Sequence, residues 1–304
     1  MSTFKHLVIS GGANVGFAFF GVVQTLYEHN ILNIDTIETI HATSVGTLLA
    51  LYLTLGYEMN EIRNYLIERP WNDLYKVNFN CVLRAIQEGG MFTRLEMQQS
   101  VKSLLLGKDL SVDITLAEFF AFNQKEIHFY ITEYSQLKLE NVSYLTHPDW
   151  KLVDAIYASC CLPVLFIPFQ HDGRYFIDGA IIMNYPLQCC LDQGHDSESI
   201  LGICHTTKSG NNTTETGKDE MMKAPFEEHH SYKLLQYILS IFVKLWTCFK
   251  HQTSESEKKV PNQIQVYCSS HPLDIFLAFD NREERIRLLE TGVDAATHFI
   301  HKKG

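Results

Sequence analysis

The sequence has no run of about 18 uncharged apolar residues of the kind a membrane-spanning helix needs, so it predicts no transmembrane segment. No basic stretch is longer than Lys258-Lys259 or Lys302-Lys303, and the formal net charge is −10. That balance offers no electrostatic footprint for nucleic acid, which is not expected as a partner. Cys-x-x-Cys is absent, although the eight cysteines include two adjacent pairs, Cys160-Cys161 and Cys189-Cys190. They read as reduced, buried thiols rather than a disulfide framework or a zinc site. No group of His, Cys and acidic residues has metal-ligand spacing, so no metal and no cofactor are expected. The first apolar stretch starts almost at the N-terminus, which leaves no space for a signal peptide. These absences together predict an intracellular protein, cytoplasmic or peripheral on a membrane. No internal repeat is present.

What the chain does have is a strand-to-helix junction at 39–57, TIHATSVGTLLALYLTLGY. The β-branched Ile37, Thr39 and Ile40 predict a strand, and the Leu/Ala-rich run closed by Gly56 predicts a helix. Ser44 sits between them, with the small residues Ala42 and Gly46 two positions to either side. Such spacing lets strand and helix approach closely and exposes the serine oxygen at the positive end of the helix, the form of a nucleophile elbow. The alternative is an ordinary N-cap serine.

Upstream, residues 5–10 form a short apolar strand that runs into Gly11-Gly12-Ala13-Asn14-Val15-Gly16 and then a helix to about His29. A glycine-rich turn at a helix start presents backbone N–H groups to an anion. A dinucleotide fingerprint would need glycine where Ala13 stands, and a P-loop would need Gly-Lys-Ser/Thr, which is missing. An oxyanion hole built from the N–H groups of Gly11 and Gly12, or a turn with no ligand, remains. The order strand, glycine turn, helix, strand, Ser44, helix is a βαβ unit. It predicts an α/β fold with a mostly parallel sheet flanked by helices, and places both motifs at one sheet edge.

Capping boxes at Thr93/Glu96 and Thr115/Glu118 predict helices, the first to about Leu106. Residues 126–134 alternate as a strand with a partner at 139–145, and 150–159 form a short helix. Asp172-Gly173 between 166–170 and 174–177 is a hairpin signal. Its second arm leads into Asp178-Gly179-Ala180, where Asp178 is either a turn residue or a carboxylate facing Ser44. Phe176, Ile177, Ile181 and Ile182 would desolvate that carboxylate. Residues 263–268 predict a last strand. Asp280-x-x-Glu283 predicts the cap of a C-terminal helix whose stripe is Ile286, Leu289, Val293, Ala296 and Ile300.

The chain reads as one domain over 5–302 carrying an insertion at 206–263. Polar loops there flank a helix at 232–251 with a wide apolar face. That helix either packs on the sheet or rests on lipid through Lys244, Trp246 and Phe249, giving a peripheral membrane contact.

The glycine-rich turn, the serine elbow some thirty residues on and the late Asp-Gly-Ala together resemble the patatin-like phospholipase family. The most specific part is Ala158-Ser159, Pro163, Phe166-x-Pro168, Gly173, Phe176, Asp178-Gly179-Ala180 and Asn184-x-Pro186. The resemblance covers most of 5–205 and the C-terminal helix, but not 206–231 or 252–263. It implies a three-layer fold in which a β-hairpin feeds Asp178. It also implies a Ser44–Asp178 dyad, oxyanion donors at Gly11, Gly12 and Val45, and a lipid or phospholipid ester as substrate. Ala13 and Val15 depart from the family's third glycine and its basic residue, and Ala42 from the first elbow glycine; Gly16 and Gly46 are retained. Two other readings stay open: a Ser-His-Asp hydrolase using His205, with His229 and His230 as weaker choices, and a catalytically weak lipid-surface binding protein.

Overall fold

The computed structural model describes residues 4–206, 260–268 and 274–303. Its strands are β1 (His6–Ile9), β2 (Thr39–Thr43), β3 (Gly90–Phe92), β4 (Glu126–Glu133), β5 (Lys138–Val142), β6 (Val164–Phe166), β7 (Phe169–His171), β8 (Arg174–Asp178), β9 (Ile200–Thr206) and β10 (Gln263–Tyr267). All but β3 and β6 join one sheet. Across it β10, β9, β1, β2 and β4 run parallel, as the βαβ order predicts. Parallel neighbours have both faces covered by crossover segments, and β1, β2, β4 and β9 are accordingly buried almost throughout, whereas edge strand β10 alternates.

The helices are α1 (Gly16–Glu28), α2 (Val45–Thr54), α3 (Met59–Glu68), α4 (Trp71–Tyr75), α5 (Phe79–Glu88), α6 (Arg94–Leu106), α7 (Leu116–Asn123), α8 (Leu152–Cys160), α9 (Leu187–Leu191), α10 (Asp274–Asp280) and α11 (Arg282–Lys303). Both expected capping boxes form: Thr93 and Glu96 open α6, and Thr115 and Glu118 open α7. The cap of α11 is Asn281, whose Oδ1 accepts from the Glu283 N–H at 2.8 Å. It is not Asp280, which ends α10.

The two sheet faces differ chemically because strand side chains alternate. On one face Leu7, Ile9, Ile40, Ala42, Phe129, Ile131 and Ile203 belong to the main core together with residues of α1, α2, α8 and α11. On the other face β1 and β2 place Val8 beside His41, and β4 places His128 beside His41. Val8 packs there on Leu187 and Cys190 of α9.

Helix α11 lies against α1 through glycines. A Cβ at Gly292 would run into the Ala18 carbonyl, and one at Gly21 into the Leu289 carbonyl. This close approach sets the buried centre line of α11 at Arg285, Leu288, Leu289, Gly292, Ala296 and Phe299. Ile286, Val293 and Ile300 of the expected stripe lie at its half-buried margin. Buried Arg285 donates to the Ile67 carbonyl at the end of α3 and to the Ala278 carbonyl at the end of α10. One guanidinium thereby satisfies carbonyls that helix ends leave without partners.

Strands β7 and β8 form the expected hairpin, and its turn residues Asp172 and Gly173 have φ of 48° and 74°. Its first arm begins at Phe169 rather than Phe166. Phe166 ends β6, which pairs instead with β3 in a separate two-stranded sheet. Residues 207–259 lie outside the described residues, and with them the expected helix at 232–251, Lys244, Trp246, Phe249, His229 and His230. Among the described residues no helix is long and apolar enough to cross a membrane.

Candidate active site

Strand β4 brings the two ends of the site together. Its residues 129–133 pair with β5 along one edge, so β2 and β8 must share the other. Thr43, the last residue of β2, is opposite Tyr130; Asp178, the last residue of β8, is opposite Ile131. The two strands point at each other along the same edge and stop on consecutive rungs. Ser44 follows Thr43, and its Oγ donates to Asp178 Oδ2 at 2.7 Å.

Ser44 adopts φ 53° and ψ −128° and its side chain makes no capping hydrogen bond to α2. A non-glycine residue in that region is strained by roughly 1–3 kcal/mol and needs its surroundings to hold it. Its backbone N–H donates to the Ser159 Oγ at 2.9 Å, and that hydroxyl in turn donates to the Tyr130 carbonyl at 2.7 Å. A Cβ at Gly46 would lie 2.8 Å from the Ile9 carbonyl oxygen, so only glycine lets the start of α2 lie on the end of β1.

The fold gives Ser159, part of the Ala158-Ser159 motif, the task of joining Ser44 to β4. Ser159→Ala would leave both the Ser44 N–H and the Tyr130 carbonyl without their partner. We expect a stability loss of about 1–3 kcal/mol and turnover lowered by about 10–100-fold through misplacement of Ser44. Urea unfolding and steady-state kinetics on the same preparation measure the two. Unchanged kinetics would mean that the elbow holds its shape without this hydroxyl.

Asp178 is buried, and burial raises its carboxyl from 3.8 to about 7, against the opposing hydrogen bonds from Ser44 and the Ala180 N–H. Oδ1 takes the Ala180 N–H at 2.8 Å. Removing a carboxylate from water disfavours its charged form. Phe176 and Ile177 are buried, as their place in the sequence suggests, whereas Ile182 is exposed.

The glycine-rich turn reaches the same place with one change. The Gly11 N–H donates to the Asn184 carbonyl at 2.9 Å, so it is committed within the protein and is not available to an oxyanion as the sequence suggested. Among the described residues the N–H groups of Gly12, Ala13 and Val45 have no acceptor. Ala13 takes φ 50°, a left-handed conformation that glycine would adopt without steric cost.

Gly12, Ala13, Val45, Ser44 and Asp178 line a cavity of about 120 Å³. Its remaining wall is mostly apolar, with Leu48, Leu49, Leu66, Trp71, Met97 and Phe279. His205 also lines it, but its Nε2 lies 2.8 Å from the Cys268 carbonyl and its N–H donates to the Ser10 Oγ. Ser44 therefore meets a carboxylate directly, with no imidazole between them.

A family model described as patatin-like phospholipase matches residues 7–190. The chain is 24% identical over 210 residues to the uncharacterized protein R571 of Acanthamoeba polyphaga mimivirus, covering 69% of this chain and 68% of that one. It is 25% identical over 190 residues to the probable lipid hydrolase 463L of Invertebrate iridescent virus 6, covering 62% of this chain and 63% of that one. The crystal structure of VipD from Legionella pneumophila superposes with a TM-score of 0.58 at 16% identity, over 99% of this chain and 67% of VipD. At that identity the likeness to VipD is one of fold.

Proposed function

The chain belongs to the patatin-like phospholipase family, and from that footing we propose that it hydrolyses lipid acyl esters with Ser44 as nucleophile and Asp178 as its base. One observation carries the reading. The Ser44 hydroxyl donates directly to a buried carboxylate at 2.7 Å, and both line a mostly apolar cavity.

The steps follow from the positions of the groups. Ser44 Oγ attacks the ester carbonyl carbon and its proton passes to Asp178 Oδ2. An ordinary carboxylate is too weak a base for this near neutral pH, and a carboxyl raised to about 7 is much better matched. Negative charge develops on the former carbonyl oxygen. The N–H groups of Gly12, Ala13 and Val45 are the available donors to it, helped by the positive end of α2. Asp178 then returns the proton to the departing alcohol, a lysolipid or a glyceride. Water attacks the Ser44 acyl ester with Asp178 again as base, which frees the fatty acid and restores the serine. The apolar wall supports an acyl chain in the cavity, with the head group toward solvent.

A fluorescent fluorophosphonate, with release of p-nitrophenol from short-chain esters, tests the assignment. Wild type should label and turn over, and Ser44→Ala should do neither. His205→Ala should label and keep its turnover, because its ring is not on the proton path. Loss of both in a folded His205→Ala protein would move the assignment to a triad. A folded wild type that never labels, even with phospholipid vesicles present, would overturn it.

A further inference from the structure

The sheet face opposite the Ser44 cavity carries a second group of chemically capable residues, drawn from segments far apart in sequence. His41 lies on β2, Cys190 on α9, and His195 in the turn that follows. One ligand-capable atom from each lies within 4.8 Å of the other two. We propose that these three side chains bind a late first-row divalent cation, zinc by the nature of the donors.

His41 gives the strongest reason. Its ring is fully buried, its Nδ1 is 2.8 Å from the Tyr130 hydroxyl, and its Nε2 has no hydrogen-bond partner. A buried ring nitrogen without a partner is costly unless something occupies it. A hydrogen bond on the other ring nitrogen is the usual outer support of a metal-bound histidine, because it fixes the tautomer and aims the free lone pair. His195 is oriented in a similar way, with Nε2 at 2.9 Å from the Gln193 Oε1 and its ring stacked on His6 at 3.6 Å.

Two imidazoles and a thiolate are borderline-soft donors, suited to zinc rather than to magnesium or calcium. Metal–ligand bonds of about 2.0–2.3 Å put tetrahedral ligands roughly 3.3–3.8 Å apart. The present separation therefore needs only a small inward rotation, which falls to half-buried His195 beyond the end of α9. Binding transfers the Cys190 thiol proton to solvent and forms a thiolate–metal bond. The fourth position falls to water on the His195 side. Such a metal would tie β2, three residues before Ser44, to α9 and the next turn.

The test uses the full chain, stripped of metal by chelator, given zinc and dialysed. Wild type should retain one zinc per chain and melt at a higher temperature with zinc than without. Cobalt(II) in its place should give a thiolate-to-metal charge-transfer band. Cys190→Ser should lose that band, and His195→Ala should lose the retained zinc; both substitutions spare buried His41, whose replacement could prevent folding. Tyr130→Phe keeps all three ligands but removes the hydrogen bond to His41, and should weaken zinc about 10–100-fold. His147→Ala, outside the group, should change nothing. If wild type retains no zinc, or if Cys190→Ser and His195→Ala retain as much as wild type, the proposal fails.

Discussion

Replacing Asp178 with Asn is expected to lower ester turnover by about 10²–10⁴-fold and, in the same protein, to raise stability at pH 8. The activity loss follows because an amide cannot accept the Ser44 proton. The stability gain follows from burial. In the folded chain burial raises the Asp178 carboxyl to about 7, whereas in the unfolded chain it keeps its ordinary value near 3.8. Between those values the native state holds a proton that the unfolded state has released, so stability falls as pH rises. The penalty is absent below the unfolded value and complete once pH has passed about 7. A shift of roughly 3 units sets it at no more than about 4 kcal/mol. The uncharged amide of the variant carries no such penalty, and it can still accept from Ala180 and contact Ser44. Urea unfolding should therefore show Asp178→Asn to be the more stable protein at pH 8, with the difference closing near pH 4. In wild type, kcat/KM should rise with pH and level off above about 7. A flat profile from pH 5.5 to 8, together with a variant that is less stable at pH 8, would remove the buried base from the mechanism.

Gly179→Ala should be as damaging by a different route. A Cβ at this position would overlap the Tyr130 carbonyl, which is backbone and already accepts from Ser159. The end of β8 would have to lift from β4. That strains the hydrogen bond from Thr132 Oγ1 to the Asp178 carbonyl and carries the carboxylate away from Ser44. We expect a stability loss of about 2–4 kcal/mol, in the range of overpacked cores and broken networks. Turnover of the folded fraction should fall about 100-fold, the effect of a displacement near 1 Å. Gly173→Ala on the hairpin turn is the comparison. Nothing lies within 4 Å of a Cβ there, and only its φ of 74° opposes the change. It should cost about 1 kcal/mol and leave turnover alone. Equal effects at the two glycines would mean that backbone flexibility, not the contact with Tyr130, is what Gly179 provides.

Features decided within a few residues were readable from the chain. The Thr93/Glu96 and Thr115/Glu118 boxes close over three residues, and the Asp172-Gly173 turn needs only its own backbone angles. The elbow was readable as a form, because small residues around Ser44 satisfy a local steric demand. What failed depended on distant partners. The Gly11 N–H is taken by Asn184, 173 residues away, and no spacing rule around Gly11 could show it. The burial line of α11 is set by glycine contacts with α1, so Gly292, which propensity treats as a weak spot, marks its most buried face. Asp280 and Asn281 are both competent caps, and only the break between α10 and α11 decides between them. His41, Cys190 and His195 showed no metal spacing because the sheet and α9, not the sequence, place them together.

The shared edge of β4 bears on what can change in such a chain over time. Ser44 and Asp178 are 134 positions apart, yet their separation is set by two neighbouring rungs of one strand. The segments threaded between them can lengthen, shorten or exchange helices without altering the gap between hydroxyl and carboxylate, provided that β4 keeps both pairings and Ser159 keeps its place between Ser44 and Tyr130. Lineages would then be free to rebuild the apolar walls of the cavity while hydroxyl and carboxylate stay on a fixed ruler. The intolerant positions would be those that hold the ruler to its two visitors, Tyr130, Ile131, Ser159 and Gly179, none of which performs chemistry.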